Sequence, residues 1–279
     1  MVTRRLSHRS KSVNGGYRGS GCQTVVPTKL KKSLKKMATL SGTVRMERVG
    51  ESNNIALFIL ERPEKSNAYH NDMISQFSEQ LTAAVADPSI RAGVVTGAGE
   101  KVFCAGADIS GFVGKTYEDG LNLQSRQLFD NWANAPWPTI AAIQGPAIAG
   151  GLELVLACDY RICSHSSWFS LPEIDLGLIP AAGGIRRLTK IVNEARAKAM
   201  ILFGQKVDSA TALEWGLVSQ ISDQVLDDAI RLAEVAARRD ALATRLAKVA
   251  LQSINTNLGD TNLEAVTQAL LYHRQTQTA

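Results

Sequence analysis

Ile140-Ala141-Ala142-Ile143-Gln144-Gly145-Pro146-Ala147-Ile148-Ala149-Gly150-Gly151-Leu152-Glu153-Leu154-Val155-Leu156-Ala157 reads as strand, turn, glycine pair and helix in unbroken succession. Residues 140–143 are apolar and short, as a buried strand requires, and Gln144-Gly145 turns the chain. Residues 146–151 are small and glycine-bearing, so backbone N–H groups there can approach a ligand closely. Residues 152–157 form an apolar helical run interrupted by one carboxylate, Glu153. Twenty residues further on, Glu173 stands among Phe169, Leu171, Pro172, Ile174 and Leu176. An ionised carboxylate is costly to bury unless it is paired or used. Two of them in apolar sequence point to an acid/base pair, against the commoner alternative of an exposed residue in a helix's first turn.

Outward from this stretch the pattern is that of an α/β protein. Residues 44–49 and 55–60 read as strands around a turn at 50–54. A helix follows, capped by Asn71 or Asp72, with Met73, Ile74, Phe77, Leu81, Ala84 and Val85 on its apolar face and Asp87-Pro88 as its stop. Residues 92–96 are a buried strand, and strand–helix–strand alternation implies parallel pairing. Residues 102–109 form a second glycine-bearing loop. A helix is expected over 117–133 on an imperfect apolar face (Leu121, Leu123, Leu128, Phe129, Trp132), followed by helices near 186–191, 195–203 and 209–215. The last three are expected over 226–237, 242–254 and 263–274.

Charge is unevenly placed. Residues 1–36 hold ten Lys or Arg and no acid, so the remainder carries 21 basic and 26 acidic residues, a net of −5 within a chain of +5. The basicity therefore argues for no nucleic-acid partner of the body, DNA included. Residues 1–40 have no apolar period and read as a disordered basic arm, an organelle transit segment, or sequence upstream of a true start at Met37. An RNA-binding arm on an inactive protein is the non-enzymatic alternative. No apolar run approaches the ~18 residues needed to span a bilayer. Cys22, Cys104, Cys158 and Cys163 lack metal-type spacing, and His70, His165 and His273 are scattered, so no metal site is expected. Cytoplasmic placement follows, or mitochondrial if 1–36 is a transit peptide.

Two loops of small residues, each at a strand-to-helix transition, suggest paired N–H donors of the kind that stabilise an enolate oxygen. With two carboxylates the set can move protons to and from carbon and water. From about Val44 onward the chain resembles the enoyl-CoA hydratase/isomerase, or crotonase, family. The resemblance rests on residues 140–160, Leu60-Glu61-Arg62-Pro63 with Asn67-Ala68, residues 103–109, Leu171-Pro172-Glu173, Gly177-Leu178-Ile179-Pro180, Gly183-Gly184 and Trp215-Gly216-Leu217-Val218.

That resemblance implies a crotonase-like α/β fold of repeated ββα units over residues 41–225, with a C-terminal helical trimerisation region at 226–279. It implies an acyl-CoA thioester substrate and no cofactor beyond the coenzyme A of the substrate. It also implies a homotrimer or a dimer of trimers. The N–H groups of Ala107 and Gly150 would form the oxyanion hole and Glu153 and Glu173 the acid/base pair. Ala68, Ala105, Asp108 and Ile109 would line the coenzyme A path, although Ala105 and Ile109 could equally pack and Asp108 could cap the next turn. Asp175 is a candidate for the acyl pocket or a surface residue. Three positions depart from the family: Pro180-Ala181-Ala182 replaces Pro-Gly-Ala, Tyr69 replaces an aliphatic residue near the expected coenzyme A entrance, and the chain ends at Ala279, before a basic helix that relatives carry. If that end is natural, weaker ligand binding or an altered oligomer is expected.

Overall fold

A computed structural model describes residues 42–112, 116–253 and 266–271. The arm at 1–40, Cys22 and both ends of the expected helix at 263–274 lie outside the described residues; residues 266–271 within it are helical.

β1 (Thr43–Val49) and β2 (Ile55–Glu61) form an antiparallel hairpin, closed by Asn53 N–H donating to Gly50 O at 3.2 Å. After α1 (Asn71–Ala86), strand β3 (Ala92–Gly97) pairs parallel to β2. Then come α2 (Tyr117–Leu121), α3 (Gln124–Ala133), β4 (Thr139–Ile143), β5 (Ala147–Ile148), α4 (Gly150–Leu156), β6 (Tyr160–Cys163) and β7 (Trp168–Ser170). The chain continues through α5 (Gly184–Val192), α6 (Glu194–Leu202), β8 (Val207–Asp208), α7 (Ser209–Glu214), β9 (Gln220–Ile221), α8 (Val225–Ala237) and α9 (Ala241–Ser253). The ββα pattern recurs as β1-β2-α1, β4-β5-α4 and β6-β7-α5. The main sheet has the order β1-β2-β3-β4-β6-β9, parallel from β2 onward, and β5-β7-β8 form a small second sheet.

Both faces of the sheet are covered at β2, β3 and β4, which is why these strands are apolar runs rather than alternations. In β2, Ile55, Leu57 and Ile59 face one cluster with Val225, Ala229, Ile230 and Ala233 of α8. Ala56, Phe58 and Leu60 face the other, with α1, α3 and α4. There Phe58 stacks on Phe77 at 4.8 Å, and Trp132 meets both edge-on. The Trp132 indole N–H donates to Cys158 Sγ at 3.1 Å, so the buried ring is satisfied. Cys104, Cys158 and Cys163 are free buried thiols.

Local expectations fail in three places, each for a tertiary reason. The helix expected over 117–133 is two helices, broken at Asn122-Leu123. Thr116 and Asp119 form a capping box for α2, which buries none of its residues, with Tyr117 and Leu121 76 % and 62 % exposed. Restarting at Gln124 turns Ser125, Leu128, Phe129 and Trp132 inward together. Neither Asn71 nor Asp72 caps α1: the N-cap residue is His70, with no side-chain cap bond. Val85 points to solvent, because the apolar face of α1 closes at Ala84. Asp208 caps α7, its side chain accepting from Thr211 N–H at 2.8 Å.

The parallel strands run so that the loops leaving β3, β4 and β6 gather beyond their carboxyl ends, where open α/β sheets place ligands. No helix among the described residues is long and apolar enough to cross a membrane.

Candidate active site

The loop after β3 is held by backbone hydrogen bonds to residues 66 and 69. Ala105 N–H donates to Ser66 O at 3.0 Å, Tyr69 N–H to Gly106 O at 2.9 Å and Asp108 N–H to Tyr69 O at 2.8 Å. Asn67, 1 % exposed, clamps the base of this ladder. Its amide accepts from Arg62 N–H and donates to the carbonyls of Ala98 and Val102, each within 3.0 Å. Gly106 N–H donates to Cys104 Sγ at 3.4 Å, so the N–H groups on both sides of Ala107 are occupied but not its own.

The loop after β4 offers the matching donor. Ala149 N–H donates to Ser170 O at 2.9 Å, and Ala149 adopts φ 50°, ψ −128°, a sparsely populated conformation for a residue with a side chain. That turn makes Gly150 the first residue of α4, where an N–H has no partner within the helix. The two loops are pressed together: a Cβ on Gly106 would lie 2.9 Å from the Ala149 Cβ and 3.0 Å from Gly150 N. Among the described residues, the N–H groups of Ala107 and Gly150 enter no hydrogen bond.

Glu153 follows one turn into α4 and is 4 % exposed, so the bland reading of an exposed first-turn residue does not hold. Its Oε1 accepts from Gly184 N–H at 2.8 Å, at the start of α5. Burial raises its pKa to about 7, and the N–H groups of Gly184 and Ala182, with Arg187 nearby, only partly oppose the rise. Glu173 opens the short 3-10 turn after β7. Both its carboxyl oxygens are shut from solvent and have no hydrogen-bond partner. Burial raises its pKa to about 7 as well, and the Glu153 charge adds to the rise. Desolvation wins at both sites, as expected where a carboxyl sits in apolar surroundings.

Both carboxyls face one chamber of about 450 Å³, whose apolar lining includes Ile148, Leu176, Leu178 and Ile179. Of the eight residues singled out from sequence, Ala105, Ala107, Ile109, Gly150, Glu153 and Glu173 line it together. Ala68 and Asp108 do not. The Ala68 carbonyl accepts from Arg62 Nη1, which also pairs with Asp108 Oδ2 at 2.7 Å. The other Asp108 oxygen accepts from Ser110 N–H and Oγ, capping the next turn, and these bonds hold its pKa well below the usual range. Asp175 is exposed and outside the lining, whereas Ala181 is part of it.

Two contributors are new. Gly184 supplies the N–H that holds Glu153; in the sequence it reads only as a helix start. Tyr69 lines the chamber and is 7 % exposed. Among the described residues no group of three His, Cys, Asp or Glu side chains is placed to hold a metal ion.

An apolar chamber, an unused N–H pair and two buried carboxyls define an α/β protein equipped to handle a carbonyl compound by proton transfer. Comparison with known proteins narrows the class. Residues 50–279 match the enoyl-CoA hydratase/isomerase family, and the chain belongs to that family. It is 37 % identical over 206 residues to the 2,3-dehydroadipyl-CoA hydratase of Escherichia coli, covering 73 % of this chain and 80 % of that one. Over 211 residues it is 34 % identical to the mitochondrial enoyl-CoA hydratase of Pongo abelii, covering 75 % and 71 %. The crystal structure of an enoyl-CoA hydratase from Bacillus anthracis superimposes with a TM-score of 0.76 at 31 % identity, covering 83 % of this chain and 91 % of that one. The crotonase fold is thus shared.

Proposed function

We propose that the protein is a lyase that adds water across the double bond of a 2-enoyl-CoA thioester, giving the 3-hydroxyacyl-CoA, and runs the reverse dehydration. One observation carries this reading: Glu153 and Glu173, both raised to about 7, face the same chamber as the unused N–H groups of Ala107 and Gly150. The thioester oxygen accepts from those two N–H groups, which are stronger donors to the enolate oxygen than to the ground-state carbonyl. Glu153, whose negative charge the Gly184 N–H favours, takes the proton of a water as its oxygen attacks Cβ. Glu173, partnerless and beside that charge, is the better proton carrier and delivers to Cα.

Coenzyme A enters as part of the substrate, its arm leaving past Ala105 and Ile109, which line the chamber; no step asks for a metal or a separate cofactor. Because the two carboxyls act as one coupled pair, kcat/KM for 2-butenoyl-CoA should follow a bell with its maximum near pH 7. A profile flat between pH 5 and 9 would remove the acid/base assignment.

We also propose a homotrimer or a dimer of trimers. Leu202 and Phe203, 53 % and 83 % exposed at the end of α6, and Ile179, 61 % exposed at the rim of the chamber, support burial against another copy. Light scattering should return three or six times the 30.1 kDa chain mass; a monomer at micromolar concentration contradicts it.

A further inference from the structure

Tyr69 stands where the chamber would otherwise run on. Its backbone is fixed on both sides of its bridge with Ala107, by Gly106 O and by Asp108 N–H. The ring passes inward and meets Phe129 edge-on at 6.1 Å, 89° between planes. Ser125, itself 7 % exposed, lies beside its hydroxyl. A second cavity of about 590 Å³ shares part of this wall: Tyr69, Ala107, Asp119, Leu123 and Ser125 line both spaces. Beyond that wall the second cavity is polar, with His70, Asn71 and Asp72 at the start of α1. The first is largely aliphatic. An alkyl chain leaving the first for the second must get past the ring and exchange apolar for polar neighbours, which hydrophobic transfer does not reward.

We propose that Tyr69 is the specificity-determining residue for acyl length: its ring closes the chamber against the polar cavity and confines the protein to enoyl thioesters with short, straight tails. The inference rests on the acyl-CoA reading of the site. It differs from a purely structural role, which would lower turnover of every substrate alike.

The test uses the full chain and Tyr69→Leu, which keeps an apolar, buried side chain but removes the far half of the ring. kcat/KM is measured with 2-butenoyl-, 2-hexenoyl-, 2-octenoyl- and 2-decenoyl-CoA. Binding of saturated butanoyl- and decanoyl-CoA is measured by calorimetry, which needs no catalysis. The parent should prefer 2-butenoyl- over 2-decenoyl-CoA by at least about 10²-fold, within the range that a few misfitting methylenes command. In Tyr69→Leu, 2-butenoyl-CoA should lose turnover while 2-decenoyl-CoA gains, shrinking the ratio at least about tenfold. Decanoyl-CoA should bind the variant more tightly than it binds the parent. A parent that accepts all four lengths equally, or a variant that loses all four in parallel, overturns the role of Tyr69. If neither protein turns over any enoyl thioester yet decanoyl-CoA binds the variant more tightly than the parent, the hydratase reading fails and the role of Tyr69 stands. A binding order that the substitution leaves unchanged overturns that role regardless of turnover.

Discussion

Glu153→Gln is expected to lower kcat for 2-butenoyl-CoA hydration by about 10²- to 10⁴-fold while changing affinity for a saturated acyl-CoA little, since the lost group acts on the water and not on the thioester. Glu173→Gln should do the same. Gln keeps an oxygen that can accept from Gly184 N–H, so the Glu153 substitution removes the proton-transfer group and leaves its support. Stability should move the other way. The folded pKa of Glu153 is about 7 against an ordinary 4.5. Between those values the folded state binds more protons than the unfolded one, so stability is full below pH ~4.5 and falls as pH rises through about 7. A neutral Gln escapes that loss. At pH 8 the variant should be the more stable protein by about 1–3 kcal/mol, with the difference shrinking at acid pH. Less activity with more stability is the signature of a strained functional group. A carboxyl kept for folding would give less of both, and urea titrations of parent and variant at two pH values distinguish them.

Gly150→Ala should cost about 10²- to 10³-fold in kcat, the range observed when an oxyanion donor is lost. The N–H itself survives the substitution; its position does not. The new Cβ would stand 2.0 Å from Tyr69 Oη and 2.9 Å from its Cζ, closer than real contacts allow. The ring is boxed in by Phe129 and Ser125, and the backbone before Gly150 is already in a strained turn. Relief therefore moves the 149–151 turn, and with it the donor. Adding Tyr69→Leu should return part of the loss, because the two sites are in contact and their effects cannot add. Steady-state kinetics of the two single variants and the double variant measure this. A Gly150→Ala protein with parental kcat would show that the reacting oxygen does not rest on this N–H.

The larger features of this structure are legible in the chain because local and tertiary demands agree there. The strand of residues 140–143, the strained turn into α4 and the two glutamates belong to one apolar stretch, and burial on both faces leaves the strands no polar alternation to confuse the reading. The break at Asn122-Leu123 was not legible. Residues 117–121 have acceptable helical sequence, and only the need to bury Phe129 and Trp132 decides where the second helix starts. The partner of Glu153 was hidden for a different reason. Gly184 N–H lies 31 residues away, and no spacing rule joins a carboxylate to a backbone group that far along the chain. Tyr69 was visible as an unusual residue, but its destination depended on the ladder to residues 105–108, which only the fold supplies.

The central claim is that this site adds water to an enoyl thioester, and labelled water tests it most directly. The protein is incubated with 2-butenoyl-CoA in oxygen-18 water and the product is read by mass spectrometry. The account predicts 3-hydroxybutanoyl-CoA with the label on the C3 hydroxyl, formed at a rate that collapses in Glu153→Gln and Glu173→Gln. Absence of labelled 3-hydroxyacyl product from 2-butenoyl-CoA and the longer 2-enoyl thioesters alike, with a 3-enoyl thioester converted only to its 2-enoyl isomer, would contradict it.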